Sequence, residues 1–162
     1  MKVTRQQTYD IFRTLEALSN KDMRPKGAYA ISKNKKLAEN EVKFIQEAQS
    51  KIKPPQGMQD FESKRIELCE KFSSKDEEGK VVTNNGKYEI PEDVREEFEK
   101  TVAGLREEYS AAFEENEEIN KQFQELLNEE IEINFHKTKL EWLPEQITGK
   151  QMEILMDIID EG

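Results

Sequence analysis

Residues 98–126, FEKTVAGLREEYSAAFEENEEINKQFQEL, decide the fold. Mostly apolar residues recur along this stretch in alternating steps of four and three, the spacing of a helix that packs lengthwise against another helix. This stripe consists of Phe98, Val102, Leu105, Tyr109, Ala112, Asn116, Ile119, Phe123 and Leu126. It predicts a helix over residues 92–128, which at about 1.5 Å per residue is more than about 50 Å long. A helix of that length needs a helical partner.

The partner that we expect is the segment 26–72. Its first part, AYAISKNKKLAENEVKFIQEAQSKI at 28–52, predicts a helix whose apolar stripe follows a seven-residue repeat. That stripe consists of Ala28, Ile31, Ala38, Val42, Ile45 and Ile52. Pro54 and Pro55 break or kink the helix, because proline lacks the backbone donor and restricts the residue before it. A third helix is then predicted from about Gly57 to Phe72.

Residues 73–90, SSKDEEGKVVTNNGKYEI, connect the two helical arms. The dipeptide Asn85-Gly86, with β-branched and aromatic residues on both sides, is typical of a tight β-hairpin. We therefore expect a long antiparallel helical hairpin with a short β-hairpin at its tip.

The two ends of the chain complete the predicted fold. Residues 4–18 have the apolar spacing of a helix, and alternation at Ile131, Ile133 and Phe135 predicts a half-buried strand. Thr148 is expected to cap a closing helix. Its apolar face would be Met152, Leu155, Ile158 and Ile159. The expected fold class is α+β, predominantly α. We expect one elongated domain over 1–162, composed of an N-terminal helix (1–25), the helical hairpin (26–128) and a strand plus closing helix (129–162).

Charge is distributed unevenly along the chain, whose formal net charge is −10. Residues 1–53 carry 12 Lys and Arg against 6 Asp and Glu, whereas residues 54–162 carry 13 against 29. If the two regions fold against each other, this asymmetry is largely internal complementarity. The single cysteine, Cys69, is expected to be a buried apolar residue and suits a reducing cytoplasm. No apolar run has the length of a membrane span.

The sequence contains no recognisable catalytic arrangement. It has no glycine-rich phosphate loop, no Cys or His pair at metal-ligand spacing and no nucleophile elbow. The single histidine, His136, has no identifiable catalytic partner. We therefore expect a protein that is not an enzyme, with no cofactor and no metal site.

The candidate partner-binding residues are a lysine-rich cluster near the start of the second helix and one tryptophan. They are Tyr29, Lys33, Asn34, Lys35, Lys36 and Trp142. Trp142 is interpreted either as a core anchor or as an exposed interface residue. The lysines with Tyr29 are the one argument for nucleic-acid binding, and the net charge opposes it. The opposite hypothesis is an acidic helical mimic of DNA, built from the glutamates of 92–132.

Three stretches resemble a widespread group of small tailed-bacteriophage proteins of uncharacterised function. They are AYAISKNKKL at 28–37, KDEEGK with GKYEIPEDVREEF at 75–98, and LLNEEIEINFHKTKLEWL at 126–143. The matching residues are Tyr29, Ile31, Lys33, Asn34, Tyr88, Ile90, Pro91, Leu126, Leu127, Glu130, Ile131 and Ile133. The resemblance implies a phage origin and bacterial host cytoplasm, and it supplies no activity or active-site residues.

Two classes of function follow as hypotheses. The first is a phage accessory protein that binds another protein, host or phage, and inhibits or modulates a host enzyme or an antiviral defence complex. The second is a virion component or a head or tail morphogenesis protein, which homo-oligomerisation through the helical seam would favour.

Overall fold

The computed structural model describes residues 1–160 and confirms the predicted class, α+β with helix predominant. Its helices are α1 (Arg5–Ser19), α2 (Pro25–Lys51), α3 (Gln56–Phe72), α4 (Glu92–Glu108), α5 (Ser110–Asn128) and α6 (Gly149–Leu155). Its strands are β1 (Lys2–Thr4), β2 (Thr83–Asn84), β3 (Lys87–Tyr88), β4 (Glu130–Glu132), β5 (Thr138–Lys139) and β6 (Ile159–Asp160). The strands form three two-stranded sheets, β1 with β4, β2 with β3 and β5 with β6.

The chain divides into two compact units. Unit 1 contains residues 1–52 and the described residues from 121 onward, and unit 2 contains residues 53–120. Unit 2 holds 19 Asp and Glu against 10 Lys and Arg, so it carries nearly all of the net charge of −10. The basic N-terminal region and the acidic C-terminal region meet in unit 1, where Arg5 forms an ion pair with Glu129. Its second partner, Glu41, lies within the N-terminal region itself.

Helix α1 forms the centre of unit 1. Its predicted apolar residues Ile11, Leu15 and Leu18 are buried, and they cluster with Ile31 of α2 and with residues from the C-terminal region. The helix begins with a capping box, in which the Thr4 hydroxyl accepts from the Gln7 N–H and the Gln7 side chain accepts from the Thr4 N–H. The most extensive helix pairing in unit 1 joins α1 and α2.

The predicted stripe of α2 is confirmed for Ile31, Ala38, Val42 and Ile45, all of which are buried, and it is wrong for Ala28, which is exposed. A seven-residue repeat has 3.5 residues per turn, whereas a straight α-helix has about 3.6, so such a stripe drifts by about 20° per heptad. Between Ile45 and Ala28 this drift removes Ala28 from the inward face. Ala30 is buried instead.

The C-terminal part of unit 1 differs from the prediction at its strand, which ends at Glu132, and at its closing helix. Thr148 caps α6 through a capping box with Gln151, as expected, but α6 ends at Leu155 and a 3₁₀ turn follows. Ile159 lies in β6, which pairs in parallel with β5. Leu155 and Ile158 are nevertheless buried in the core, as the apolar spacing predicts.

Unit 2 contains α3 packed against α4, and the two helices run antiparallel. Phe72 lies edge to face with Phe98 at a centroid distance of 5.7 Å, and Phe61 lies 6.1 Å from Tyr109. Helix α3 pairs with α4, whereas α2 has its main contact in α1, so the predicted hairpin of 26–72 with 92–128 is not confirmed. The connection between α3 and α4 contains the predicted hairpin of β2 and β3. Its turn residues Asn85 and Gly86 both have positive φ, as a type I′ turn requires.

The predicted helix of 92–128 is interrupted at one residue. Helix α4 ends at Glu108, Tyr109 has non-helical backbone angles of φ −102° and ψ 15°, and α5 begins at Ser110. All nine residues of the stripe from Phe98 to Leu126 are buried or half-buried. The stripe prediction is therefore confirmed on both sides of the interruption.

Candidate partner-binding surface

Helix α2 presents a row of large apolar and basic side chains to solvent. Tyr29, Leu37 and Phe44 are 63%, 40% and 44% exposed, and Lys33 and Lys36 are exposed between them. Spacings of seven and eight residues place the three apolar side chains on one side of an α-helix, opposite the buried stripe. We call these five residues the α2 face.

Two predicted site residues of the same helix do not belong to the α2 face. Asn34 is fully buried, and its side-chain amide donates a hydrogen bond to the His136 carbonyl and accepts one from the His136 N–H. Lys35 is half-buried, and its Nζ lies 5.7 Å from the ring centroid of Phe12 on α1. Asn34 therefore stabilises unit 1, and its side chain is not accessible to a partner.

Lysines of α2 lie over aromatic rings. Lys33 Nζ is 5.8 Å from the ring centroid of Tyr29, and Lys26 Nζ is 5.6 Å from that of Trp142. A cation over an aromatic face at an exposed site contributes about 0.5–1 kcal/mol. These contacts bias the lysines toward positions beside their rings, so the ammonium groups and aromatic surfaces are presented together.

Trp142 lies at the N-terminal end of α2. It is half-buried, and its indole N–H donates to Glu141 Oε1 at 3.1 Å. Its backbone carbonyl approaches Gly27 so closely that a Cβ on that glycine would lie 2.0 Å from the oxygen. Leu140, two residues before Trp142, is exposed. Trp142 is therefore neither a core residue nor a fully exposed one.

The His136 ring contacts the ring of Tyr29 on the α2 face. The two rings meet edge to face with centroids 6.1 Å apart, and the His136 backbone is fixed by Asn34. At the other end of the face, the Arg5 guanidinium lies 4.9 Å from the ring centroid of Phe44. Burial lowers the pKa of Arg5, but hydrogen bonds to Glu129 and Glu41 outweigh it, so this pKa is raised above its ordinary value. The Arg5 guanidinium beside the Phe44 ring therefore stays positively charged.

Sequence reasoning identified Tyr29, Lys33 and Lys36 but missed Leu37 and Phe44. The signal that could have found them is their position outside the predicted apolar stripe of α2. Apolar residues that recur off the buried stripe of a helix mark a second face.

A surface depression and a group of metal-ligating side chains are the two other kinds of site that the described residues could form. A depression of about 700 Å³ lies between the loops 20–24 and 141–146, but its lining mixes both signs of charge, and Lys21 there donates to the Gln146 carbonyl. Within residues 1–160, no group of three or more His, Cys, Asp or Glu is placed to hold a metal ion. No helix in this part of the chain is long and apolar enough to cross a membrane.

Comparisons with protein-family models, with curated proteins and with solved structures give no match.

Proposed function

We propose that this protein acts by binding another protein through the α2 face. The observation that carries the proposal is the exposure of Tyr29, Leu37 and Phe44 in one row on a single helix. Large apolar side chains exposed together on one face of a helix mark interaction sites, and aromatic side chains are enriched where binding energy concentrates. The face is also rigid, because the opposite side of α2 is packed on α1.

The chemistry of the face favours an acidic protein surface as its partner. Lys33 and Lys36 would meet carboxylates, while Leu37 and Phe44 need apolar pockets that a phosphate backbone does not provide. Electrostatics also disfavour nucleic acid, since the segments of unit 1 carry 15 Lys and Arg against 16 Asp and Glu. The partner is thus a protein with apolar pockets bordered by Asp or Glu.

The biological setting of this proposal comes from the sequence resemblance. A phage accessory protein that inhibits or modulates a host enzyme or defence complex in the bacterial cytoplasm needs a binding surface and no catalytic centre. The α2 face is such a surface. The alternative setting, a virion or morphogenesis component, would use the same face to join phage proteins in an assembly.

Capture from bacterial lysate followed by direct binding to the purified captured protein tests the proposal. We expect Leu37→Glu and Phe44→Glu each to weaken binding at least about tenfold, equivalent to about 1.4 kcal/mol. Replacement of Lys33, Lys35 and Lys36 together by Glu should also weaken binding while the far-ultraviolet circular dichroism stays unchanged. Met156→Glu is the matched control, because Met156 is exposed in unit 1 outside the α2 face. Equal binding by all variants would contradict the proposal, and recovery only of large assemblies of phage proteins would favour the structural setting.

A further inference from the structure

Unit 2 has a thin hydrophobic core. Apart from prolines, only three apolar side chains of its residues 53–120 are buried, namely Phe61, Cys69 and Leu105, whereas unit 1 buries thirteen among its described residues. The remaining large apolar side chains of α3 and α4, among them Leu68, Phe72 and Val102, are half-buried. A pair of antiparallel helices gains most of its stability from packing of apolar faces, so such a pair is normally completed by further helices.

The incompletely covered side of this helix pair is a groove. Its floor is formed by Leu68 of α3 and Leu105 of α4, with Thr101 beside them, and its volume is about 390 Å³. Its rims are exposed and charged: α3 contributes Lys64, Glu67 and Lys71, and α4 contributes Glu108. Within unit 2 the groove is therefore open to solvent.

We propose that the groove is closed by the same groove of a second copy of this chain, giving a four-helix bundle with a two-fold axis parallel to the helices. Such an axis places α3 of one copy antiparallel to α4 of the second copy. Because the rotation preserves heights along the axis, the α4 helices of the two copies lie at the same height. Leu68 and Leu105 of the two copies then form one shared apolar layer. This is the usual way in which helical hairpins complete a core.

Charge complementarity selects a second copy as the occupant. Phe72 lies level with Phe98 and Lys64 with Glu108 within the chain, since these pairs are in contact. The two-fold axis preserves those levels, so Lys71 of one copy comes level with Glu97 of the other, and Lys64 with Glu108. Both lysines of the α3 rim thus meet a glutamate of the opposing α4, namely Glu108 on the rim and Glu97 one turn beyond Thr101, whereas Glu67 comes level with the uncharged residues 103–105. The match occurs twice in the dimer.

Sedimentation or light scattering of the full chain at micromolar concentrations is the first test. The expected mass is twice the 19.0 kDa of one chain. Leu68→Gln should raise the dimer dissociation constant at least about tenfold. Ile66→Gln is the matched control, because Ile66 is on the same helix, is 37% exposed and lies outside the groove. A monomeric wild-type chain, or equal dimerisation of the two variants, would overturn the proposal.

A charge exchange tests the register with variants that change only exposed side chains. Lys71→Glu and Glu97→Lys should each be monomeric or weakly dimeric alone, because each places like charges opposite one another. An equimolar mixture should recover the dimer as a heterodimer, since both contacts then join opposite charges. Circular dichroism of each variant confirms folding, and failure of the mixture to associate would overturn this register.

Discussion

The side chain of Asn34 holds the backbone of His136 at both ends. Asn34 Nδ2 donates to the His136 carbonyl at 2.8 Å, and the His136 N–H donates to Asn34 Oδ1 at 2.7 Å. The Asn34 amide therefore pairs with the backbone of one residue as a neighbouring β-strand would. These two hydrogen bonds connect helix α2 to the segment between β4 and β5. No buried side-chain nitrogen or oxygen in residues 1–160 lacks a hydrogen-bond partner.

Removal of this amide should destabilise unit 1 strongly. We expect Asn34→Ala to lower the free energy of unfolding by about 1–3 kcal/mol, the usual cost of an unpaired buried polar group, because the His136 N–H loses its partner. The His136 carbonyl keeps a 3.4 Å hydrogen bond from the Thr138 hydroxyl. Urea denaturation followed by circular dichroism measures the change. Asn40→Ala, on the exposed side of the same helix, should change stability by less than about 0.5 kcal/mol. A loss below about 1 kcal/mol for Asn34→Ala would argue against this pairing.

Two glycines should respond in opposite directions to the same substitution. Gly27→Ala places a Cβ about 2.0 Å from the Trp142 carbonyl oxygen, a backbone atom that must shift, so we expect a loss of about 1–3 kcal/mol. Gly104 in α4 has no atom within 4 Å of its Cβ position, and Gly104→Ala should stabilise by about 0.5–1 kcal/mol. Thermal denaturation of the two variants distinguishes the signs. Stabilisation by Gly27→Ala would contradict the close approach of Trp142.

The Glu62–Arg65 pair on α3 predicts a local pH response. Hydrogen bonds from Arg65 hold the pKa of Glu62 below its usual value of 4.5. The stabilisation is therefore present above that pH and is lost as the pH falls through the lower pKa of the folded protein. In Arg65→Gln, NMR titration should show the Glu62 pKa moving up toward its ordinary value. The pKa of Glu39, lowered by Lys43, serves as the control and should stay unchanged.

The cap of α6 predicts a smaller effect. Thr148→Ala removes the hydroxyl that accepts from the Gln151 N–H, and we expect a loss of about 1 kcal/mol. Thr148→Ser retains the acceptor and should remain within about 0.5 kcal/mol of the wild type. Urea denaturation of both variants measures the difference, and equal losses would mean that the threonine methyl group matters more than the cap.

Local signals account for the elements that were predicted correctly. The apolar spacing of α1 and the Asn85-Gly86 turn lie within short stretches of sequence, so neither depends on a distant partner. Strands β1 and β6 were missed for the opposite reason. Three residues, Lys2–Thr4, form a strand only because Glu130–Glu132 lies beside them, and Ile159–Asp160 leaves the predicted helix to pair with β5.

The candidate surface was predicted in part for a related reason. Tyr29, Lys33 and Lys36 stand out in the sequence as a cluster, and the structure leaves them exposed. Asn34 belongs to the same cluster, yet its burial depends on His136, which is distant in sequence. The choice of α1 as the main packing partner of α2 is likewise set by contacts that heptad spacing alone does not specify.

The division of the chain has a consequence for its synthesis. All of unit 2 lies between residues 53 and 120, whereas the core of unit 1 joins Leu15 and Ile31 to Leu155 and Ile158. On a translating ribosome, α3 and α4 can therefore dock while the segments that complete the α1–α2 core are still being made. We expect the middle of the chain to fold before its beginning, because compact units fold as soon as their residues are available. Until Ile158 emerges, the apolar side of the nascent α1–α2 pair is open to chaperones and to aggregation.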